Sequence, residues 1–275
     1  METALLNYFI VDTQLRSTCD FNPFFLEKGK SIYEVLRVEN GIPVFLAEHI
    51  DRFFSSAQLE QVNTGLTPDF IRKAIRLLIT ENRMQTGNIK FLSHQNDAGD
   101  NRFMAWVMPF FYPSSAQYRE GVTVGTMAGE RHNPNAKKAL YALRQKADRM
   151  IKEKGWYEVV YVNRKKIITE GSRSNIFFIK QNQLVTPELS LVLPGITRSK
   201  VIMLARQNNI ELDEREIRRE ETGHFDACFL TGTSPKVLPV RRFDDTAFDV
   251  SHPVIQYIMK AYDRCVEEDI RKFRW

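Results

Sequence analysis

Glu170 stands at the head of a Gly-Ser turn that runs into an apolar segment, Ile168-Thr169-Glu170-Gly171-Ser172-Arg173-Ser174-Asn175-Ile176-Phe177-Phe178. By composition alone such a stretch is an ordinary polar loop. Two downstream segments give its carboxylate a chemical setting. After Val185-Thr186-Pro187, the run Leu193-Pro194-Gly195-Ile196-Thr197-Arg198 opens a helical pattern. A Gly-Ile-Thr turn at a helix start leaves backbone N–H groups at the positive end of the helix dipole, which is an anion site. Leu230-Thr231-Gly232-Thr233-Ser234 is a second hydroxyl-rich turn, able to add N–H and O–H donors. The formal net charge of +5 also suits an anionic cofactor or substrate.

The elements that must position these residues follow from periodicity. In the first half, residues 5–11 are apolar and β-prone, and residues 32–38 alternate, with Ile32, Glu34 and Leu36 on one face and Tyr33, Val35 and Arg37 on the other. Asn40-Gly41 is a hairpin signal, with a returning strand over 42–46. A helix begins near Ala47, with Ile50, Phe53, Phe54, Ala57 and Leu59 as its apolar face. Thr67-Pro68-Asp69 opens another, whose face is Ile71, Ala74, Ile75, Leu78 and Ile79. Strands over 89–93 and 103–108 complete this half. Pro113, Ser114, Ser115 and Gly121 mark a linker. The second half holds a strand from Val122, a helix over 135–154 stopped by Gly155, strands at 157–162 and 175–179, a helix at 197–207, strands near 227–230 and 237–240, and a last helix at 254–272. The expected organisation is an N-terminal α/β domain over 1–112, a linker over 113–121 and a C-terminal domain over 122–275.

Bulk composition narrows the class. Of the 275 residues, 43% are hydrophobic and 27% charged, a globular balance. The short basic runs lie beside acids, so a non-catalytic basic binding protein, for example one for nucleic acid, is the reading of another class and not the favoured one. Cys19, Cys228 and Cys265 are too few and too far apart for a disulfide framework or a zinc site, so a reducing cytoplasm is expected. The start lacks the pattern of a signal peptide. The strongest apolar run, residues 103–112, is too short to span a bilayer.

Glu170 through Arg198 resembles the signature of the class IV, or fold-type IV, aminotransferases: Glu-x-small-x-x-Asn-apolar-aromatic, a Thr, then Pro-Gly-Ile-Thr-Arg. Tyr33-Glu34-Val35-Leu36-Arg37-Val38-Glu39-Asn40-Gly41 is similar to that family's early hairpin, most closely in D-amino acid transaminases. Glu48-His49-Ile50-Asp51-Arg52 is similar to the helix that follows, and Thr231-Gly232-Thr233 to the late Ser/Thr-Gly-Thr turn. The resemblance implies an α/β (α+β) two-domain fold with pyridoxal 5'-phosphate between the domains, in a homodimer whose partner lends residues to each site. It implies amino acid and keto acid substrates, branched-chain amino acids among them, with an aminodeoxychorismate lyase-like reaction as the alternative.

The implied roles make chemical sense. A carboxylate beside the ring nitrogen raises that nitrogen's proton affinity, and Glu170 matches the family's Glu with this role. Arg52 matches the phosphate arginine, and Ile196, Thr197 and Thr233 the phosphate-binding turns. Tyr141 resembles the Tyr that, in branched-chain members, bonds the cofactor's phenolic oxygen. For the Schiff-base lysine two positions compete. Counting back from Gly155-Trp156-Tyr157-Glu158 gives Lys137 without a gap, whereas Lys-x-Leu-x-x-Leu gives Lys138, with Leu140 and Leu143. Lys137 is preferred, since Lys138 requires a deletion inside a helix and hence a rotation of its face by roughly 100°. Tyr33 and Arg37 are the substrate-side candidates. The sequence departs from the D-amino acid transaminases after residues 89–93, where Ser93-His94-Gln95-Asn96-Asp97 contains no Arg for a carboxylate trap; His94 there is expected in a surface loop, and Arg102 lies further on.

Overall fold

Asn40 and Gly41 both take positive φ, 53° and 74°, as a two-residue type I′ hairpin requires. They join β3 (Lys30–Glu39) to β4 (Ile42–Pro43) in the computed structural model, which describes residues 2–23, 29–131, 133–137, 139 and 141–275. The return strand is shorter than its β-prone sequence suggests. Phe45 adopts a left-handed conformation, with Asp269 accepting its N–H at 2.7 Å, and α1 (Leu46–Leu59) starts at the next residue.

The chain divides into two compact units: Met1–Phe111 with Ala136–Ala139 and Val266–Trp275, and Tyr112–Asn135 with Leu140–Cys265. The first holds an antiparallel sheet in the order β2-β1-β6-β5-β3-β4, where β1 is Leu5–Val11, β2 Gln14–Ser17, β5 Thr86–Gln95 and β6 Asn101–Met108. The alternation in β3 places Ile32, Leu36 and Val38 in a core with Ile50 and Phe53 of α1, and with Ile75 and Leu78 of α2 (Pro68–Glu81). Thr67 caps α2 by accepting the Phe70 N–H at 3.2 Å. Leu59, expected on α1's apolar face, is exposed, because the helix ends there. The other sheet face packs Phe9, Val11, Leu92, Met104 and Trp106, with Tyr33 against them.

The second unit is built on a ten-stranded sheet. It contains α3 (Ser115–Glu120), β7 (Val122–Ala128), α4 (Tyr141–Lys154), β8 (Glu158–Val162), β9 (Ile167–Gly171), β10 (Asn175–Lys180), β11 (Gln183–Pro187), α5 (Ile196–Gln207), β12 (Leu212–Arg215), β13 (Ile217–Arg218), β14 (Ala227–Gly232), β15 (Lys236–Phe243), β16 (Thr246–Ala247) and α6 (Pro253–Lys272), whose end belongs to the first unit. The strand order is β12-β11-β10-β14-β15-β7-β8-β9-β13, with β16 on β15. Its core gathers Val124, Val160, Ile176, Phe178, Cys228, Leu230, Leu238 and Val240.

Two local expectations change. Within the stretch read as linker, Ser114 and Gln117 form a capping box that starts α3. The helix expected over 135–154 begins only at Tyr141. Lys137 gives its N–H to Ser56 Oγ at 3.0 Å and its carbonyl accepts the Tyr33 N–H at 3.1 Å, so both groups that a helix would use are committed to tertiary bonds. No helix among the described residues is long and apolar enough to cross a membrane.

Candidate active site

Glu170 lies on β9, flanked by β8 and β13, and is 3% exposed. Its Oε1 accepts from Arg131 Nη1 at 2.9 Å, and its Oε2 from the Leu193 N–H at 3.0 Å. These two bonds fix the orientation of the carboxylate. The turn that follows is organised by Glu158, the first residue of β8, which accepts from Ser172 Oγ at 2.6 Å, the Arg173 N–H at 3.0 Å and Ser174 Oγ at 3.2 Å. Burial pushes the Glu158 carboxyl up, against the opposing pull of Arg144 and these donors. A Cβ at Gly171 would fall 2.0 Å from Ser174 Oγ and would displace that hydroxyl from Glu158.

Asn175 begins β10 and links this turn to the next. Its Nδ2 donates to the Leu193 carbonyl at 3.0 Å, and its Oδ1 sits 2.1 Å from where a Cβ at Gly195 would be. Gly195 is the N-cap of α5 and no side chain caps that helix, so an anion there meets the N–H groups of Ile196 and Thr197. Thr197 is buried, with Oγ1 3.1 Å from Tyr262 Oη. Arg198 is buried and holds the helix start from below, donating to the Pro187 carbonyl at 2.9 Å and to Glu214 at 2.8 Å. Asn175 pairs with Thr231 of β14, beyond which the half-buried Thr233 follows. Thr231 Oγ1 is buried with no partner among the described residues. Glu170, the α5 N-terminus and the Thr231–Thr233 turn are thus joined by named bonds and by strand register.

In the first unit, Arg52 is buried and grips Glu34 with a two-point fork, Nε to Oε1 and Nη2 to Oε2, both at 2.7 Å. His49, three residues earlier on the same face of α1, donates Nδ1–H to Glu34 Oε2 at 2.8 Å. Burial pushes the Glu34 carboxyl up, but the charge and bonds of Arg52, with the bond from His49, outweigh it and hold the group at about 2. Burial also lowers the His49 pKa, against Glu34's pull, so its imidazole is neutral at pH 7. Glu34 and His49 were legible as a need, not as roles: a carboxylate between Ile32 and Leu36 on an apolar strand face requires a cation. Arg131 left no comparable signal.

Lys137 lies outside any helix, which removes the helix-rotation argument for preferring it. Its Nζ lies 5.2 Å from the centre of the Tyr33 ring, and it is bonded to Ser56, one turn after Arg52 on α1. Lys138 and the side chain of Tyr141 lie outside the described residues. Arg37 is half-buried and pairs with Glu39 at 2.6 Å. His94, expected in a surface loop, is buried in β5, with Nδ1 2.9 Å from Ser31 Oγ, because the strand runs on to Gln95. Arg102 is exposed and faces Asp12 at 3.8 Å.

The fold is that of the branched-chain aminotransferases. The chain superposes on the Escherichia coli branched-chain amino acid aminotransferase with a TM-score of 0.87, at 22% identity over 98% of each chain. Residues 31–243 match the family described as amino-transferase class IV, and the chain belongs to that family; it is a transaminase-class enzyme. Among curated relatives it is 29% identical to the D-alanine aminotransferase of Bacillus licheniformis, over 83% of this chain and 85% of that one. It is 27% identical to the branched-chain-amino-acid aminotransferase of Pseudomonas aeruginosa, over 86% of this chain and 84% of that one.

Proposed function

We propose that this chain uses pyridoxal 5'-phosphate to move an amino group between an amino acid and a 2-keto acid. The observation that carries this reading is Glu170: a buried carboxylate fixed by Arg131 and the Leu193 N–H, two residues before an uncapped helix start. These residues fit the cofactor's two polar ends. The donor set at Gly195, Ile196 and Thr197 suits a phosphate, and Thr231 brings a buried hydroxyl with no partner among the described residues.

When bound, the cofactor's protonated ring accepts the electrons left at the substrate's Cα after proton loss. Glu170 would hold the proton at the ring nitrogen, with Arg131 fixing the carboxylate's orientation. The N–H groups of Ile196 and Thr197, the Thr233 turn and the Arg52 guanidinium would each suit the phosphate. Glu34 and His49 fix the Arg52 side chain in one orientation. Lys137 would hold the cofactor through its amine and would move the proton at the substrate's Cα, with Lys138 as the competing position. Tyr141 bonds the phenolic oxygen, and Tyr33 and Arg37 face the substrate.

The reading extends to a homodimer, for which Leu6, Tyr8, Phe110 and Phe111 offer exposed apolar surface, and to the cytoplasm, where three free cysteines persist. The test is direct. Purified protein mixed with pyridoxal 5'-phosphate should develop visible absorbance that borohydride bleaches, leaving a reduced adduct on one lysine. Glutamate, D-alanine and branched-chain amino acids should then drive conversion of keto acids. Turnover of aminodeoxychorismate with pyruvate release and no amino exchange would assign the lyase reaction instead. No absorbance change and no adduct would end the reading.

A further inference from the structure

Glu170 is held from two directions, and both lead back to one short segment of chain. Arg131 donates directly to its Oε1 at 2.9 Å. Its Oε2 accepts the Leu193 N–H at 3.0 Å, and Leu193 lies in the stretch that links β11 to α5. That stretch contains one 3₁₀ turn, Leu189–Leu191, whose Leu189 side chain is exposed. Asn135 follows Arg131 in the same segment and clamps the turn at both ends. Its Nδ2 donates to the Leu189 carbonyl at 2.7 Å and to the Val192 carbonyl at 2.8 Å. Asn135 is also the last residue of the second unit before the chain passes to Ala136–Ala139 of the first.

A primary amide nitrogen carries two hydrogens, and here each meets one carbonyl. The amide therefore staples the turn shut. The turn's own closing bond is weaker, because the Val192 N–H reaches the Leu189 carbonyl only at 3.4 Å. What depends on the staple lies immediately downstream. The Leu193 N–H bonds Glu170, and the Leu193 carbonyl accepts from Asn175 Nδ2 at 3.0 Å and from the Gly195 N–H at 2.7 Å. Gly195 is the N-cap of α5. A displacement of Val192 thus moves the donor at Glu170 and the start of α5 together.

We infer that Asn135 is a positioning residue for the proposed reaction: through residues 189–193 it sets the Leu193 N–H against Glu170, and so fixes the carboxylate assigned to the cofactor's ring nitrogen. This rests on the aminotransferase reading. Arg131 acts on one oxygen of Glu170 directly, and Asn135 acts on the other through the turn. An alanine at this position leaves two carbonyls without their donor. An aspartate keeps the shape but sets a carboxylate against both carbonyl oxygens, with no hydrogen to offer either.

The experiment uses the full-length protein, with and without pyridoxal 5'-phosphate, and the variants Asn135→Ala, Asn135→Asp and Leu189→Ala. Hydrogen exchange resolved to the Leu193 amide is measured first, without cofactor. This amide should be protected in the parent protein, and Asn135→Ala should speed its exchange about 10- to 100-fold, the size of losing two ordinary hydrogen bonds. In the loaded protein, the pH at which the bound cofactor's visible absorbance titrates should move by about 1 unit, a tenfold change in proton affinity. The kcat should fall about 10-fold with KM changed far less. Asn135→Asp should behave in the same way at pH 7. Leu189→Ala keeps both carbonyls and should match the parent. A parent Leu193 amide that exchanges as fast as an unprotected loop amide overturns the inference without any variant. Faster exchange in Asn135→Ala with titration and kcat unmoved also overturns it, because that is a structural role alone. A Leu189→Ala variant that shifts as far as Asn135→Ala does so too. These three results leave the aminotransferase reading standing, whereas a parent protein that gains no absorbance with the cofactor sinks that reading and the inference with it. Should Asn135→Ala not fold, Asn135→Asp and the parent's own exchange still decide.

Discussion

Replacing Glu34 by Gln keeps the side chain's shape and removes the charge on which two neighbours depend. Glu34 is 0% exposed and takes three bonds of 2.7 to 2.8 Å from Arg52 and His49. Its carboxyl is held at about 2, from an ordinary 4.5, and that gap corresponds to roughly 3 kcal/mol of stability at pH 7. Because the folded value is the lower one, this stability is complete above pH 4.5 and is lost as pH falls through about 2. Removing one partner of a buried ion pair also strands the other charge, a cost of about 3 to 5 kcal/mol, so both routes give the same scale. Urea unfolding of the parent protein and Glu34→Gln should differ by roughly 3 kcal/mol at pH 7 and by about half that near pH 3. The variant should also bind pyridoxal 5'-phosphate more weakly, since Arg52 loses its fixed orientation. A difference below about 1 kcal/mol at pH 7, or one that stays constant as the solution is acidified, would refute the assignment of Glu34 as the anchor of Arg52.

Glu170→Gln should retain the fold and slow transamination by about 100-fold or more, because the amide cannot hold the ring proton; single-turnover absorbance measurements report it. Gly195→Ala drives a methyl group to 2.1 Å from Asn175 Oδ1, so it should cost about 1 to 3 kcal/mol and weaken cofactor affinity, read by denaturant unfolding and by equilibrium titration. Of Lys137→Ala and Lys138→Ala, only the first should abolish the borohydride-reduced adduct, which peptide mass spectrometry locates. An adduct that survives in Lys137→Ala transfers the role to Lys138.

Much of the site was legible because its parts are local. Gly195-Ile196-Thr197 gives the start of α5 from turn chemistry alone, and Asn40-Gly41 fixes a hairpin through its two left-handed residues. The alternation in β3 put Glu34 on one face with Ile32 and Leu36, and the structure buries that face. Glu170 was visible as a motif, yet its place inside a strand rather than in the turn was not, since Ile167 and Ile168 pair with the distant Ile217 and Arg218.

What chain-local patterns determined, then, was the family signature, most elements and the residue types of an anion cradle with a carboxylate beside it. Only tertiary structure decided which charges meet. Arg52 was read as a phosphate arginine, but its fork to Glu34 closes across 18 residues of sequence. Arg131 reaches Glu170 across 39. Lys137 falls in a stretch with helical periodicity but is not helical, because Ser56 and Tyr33 take its backbone groups. Ion pairs and backbone bonds of this kind gain their strength from burial, and burial is set by the whole fold and not by neighbouring residues.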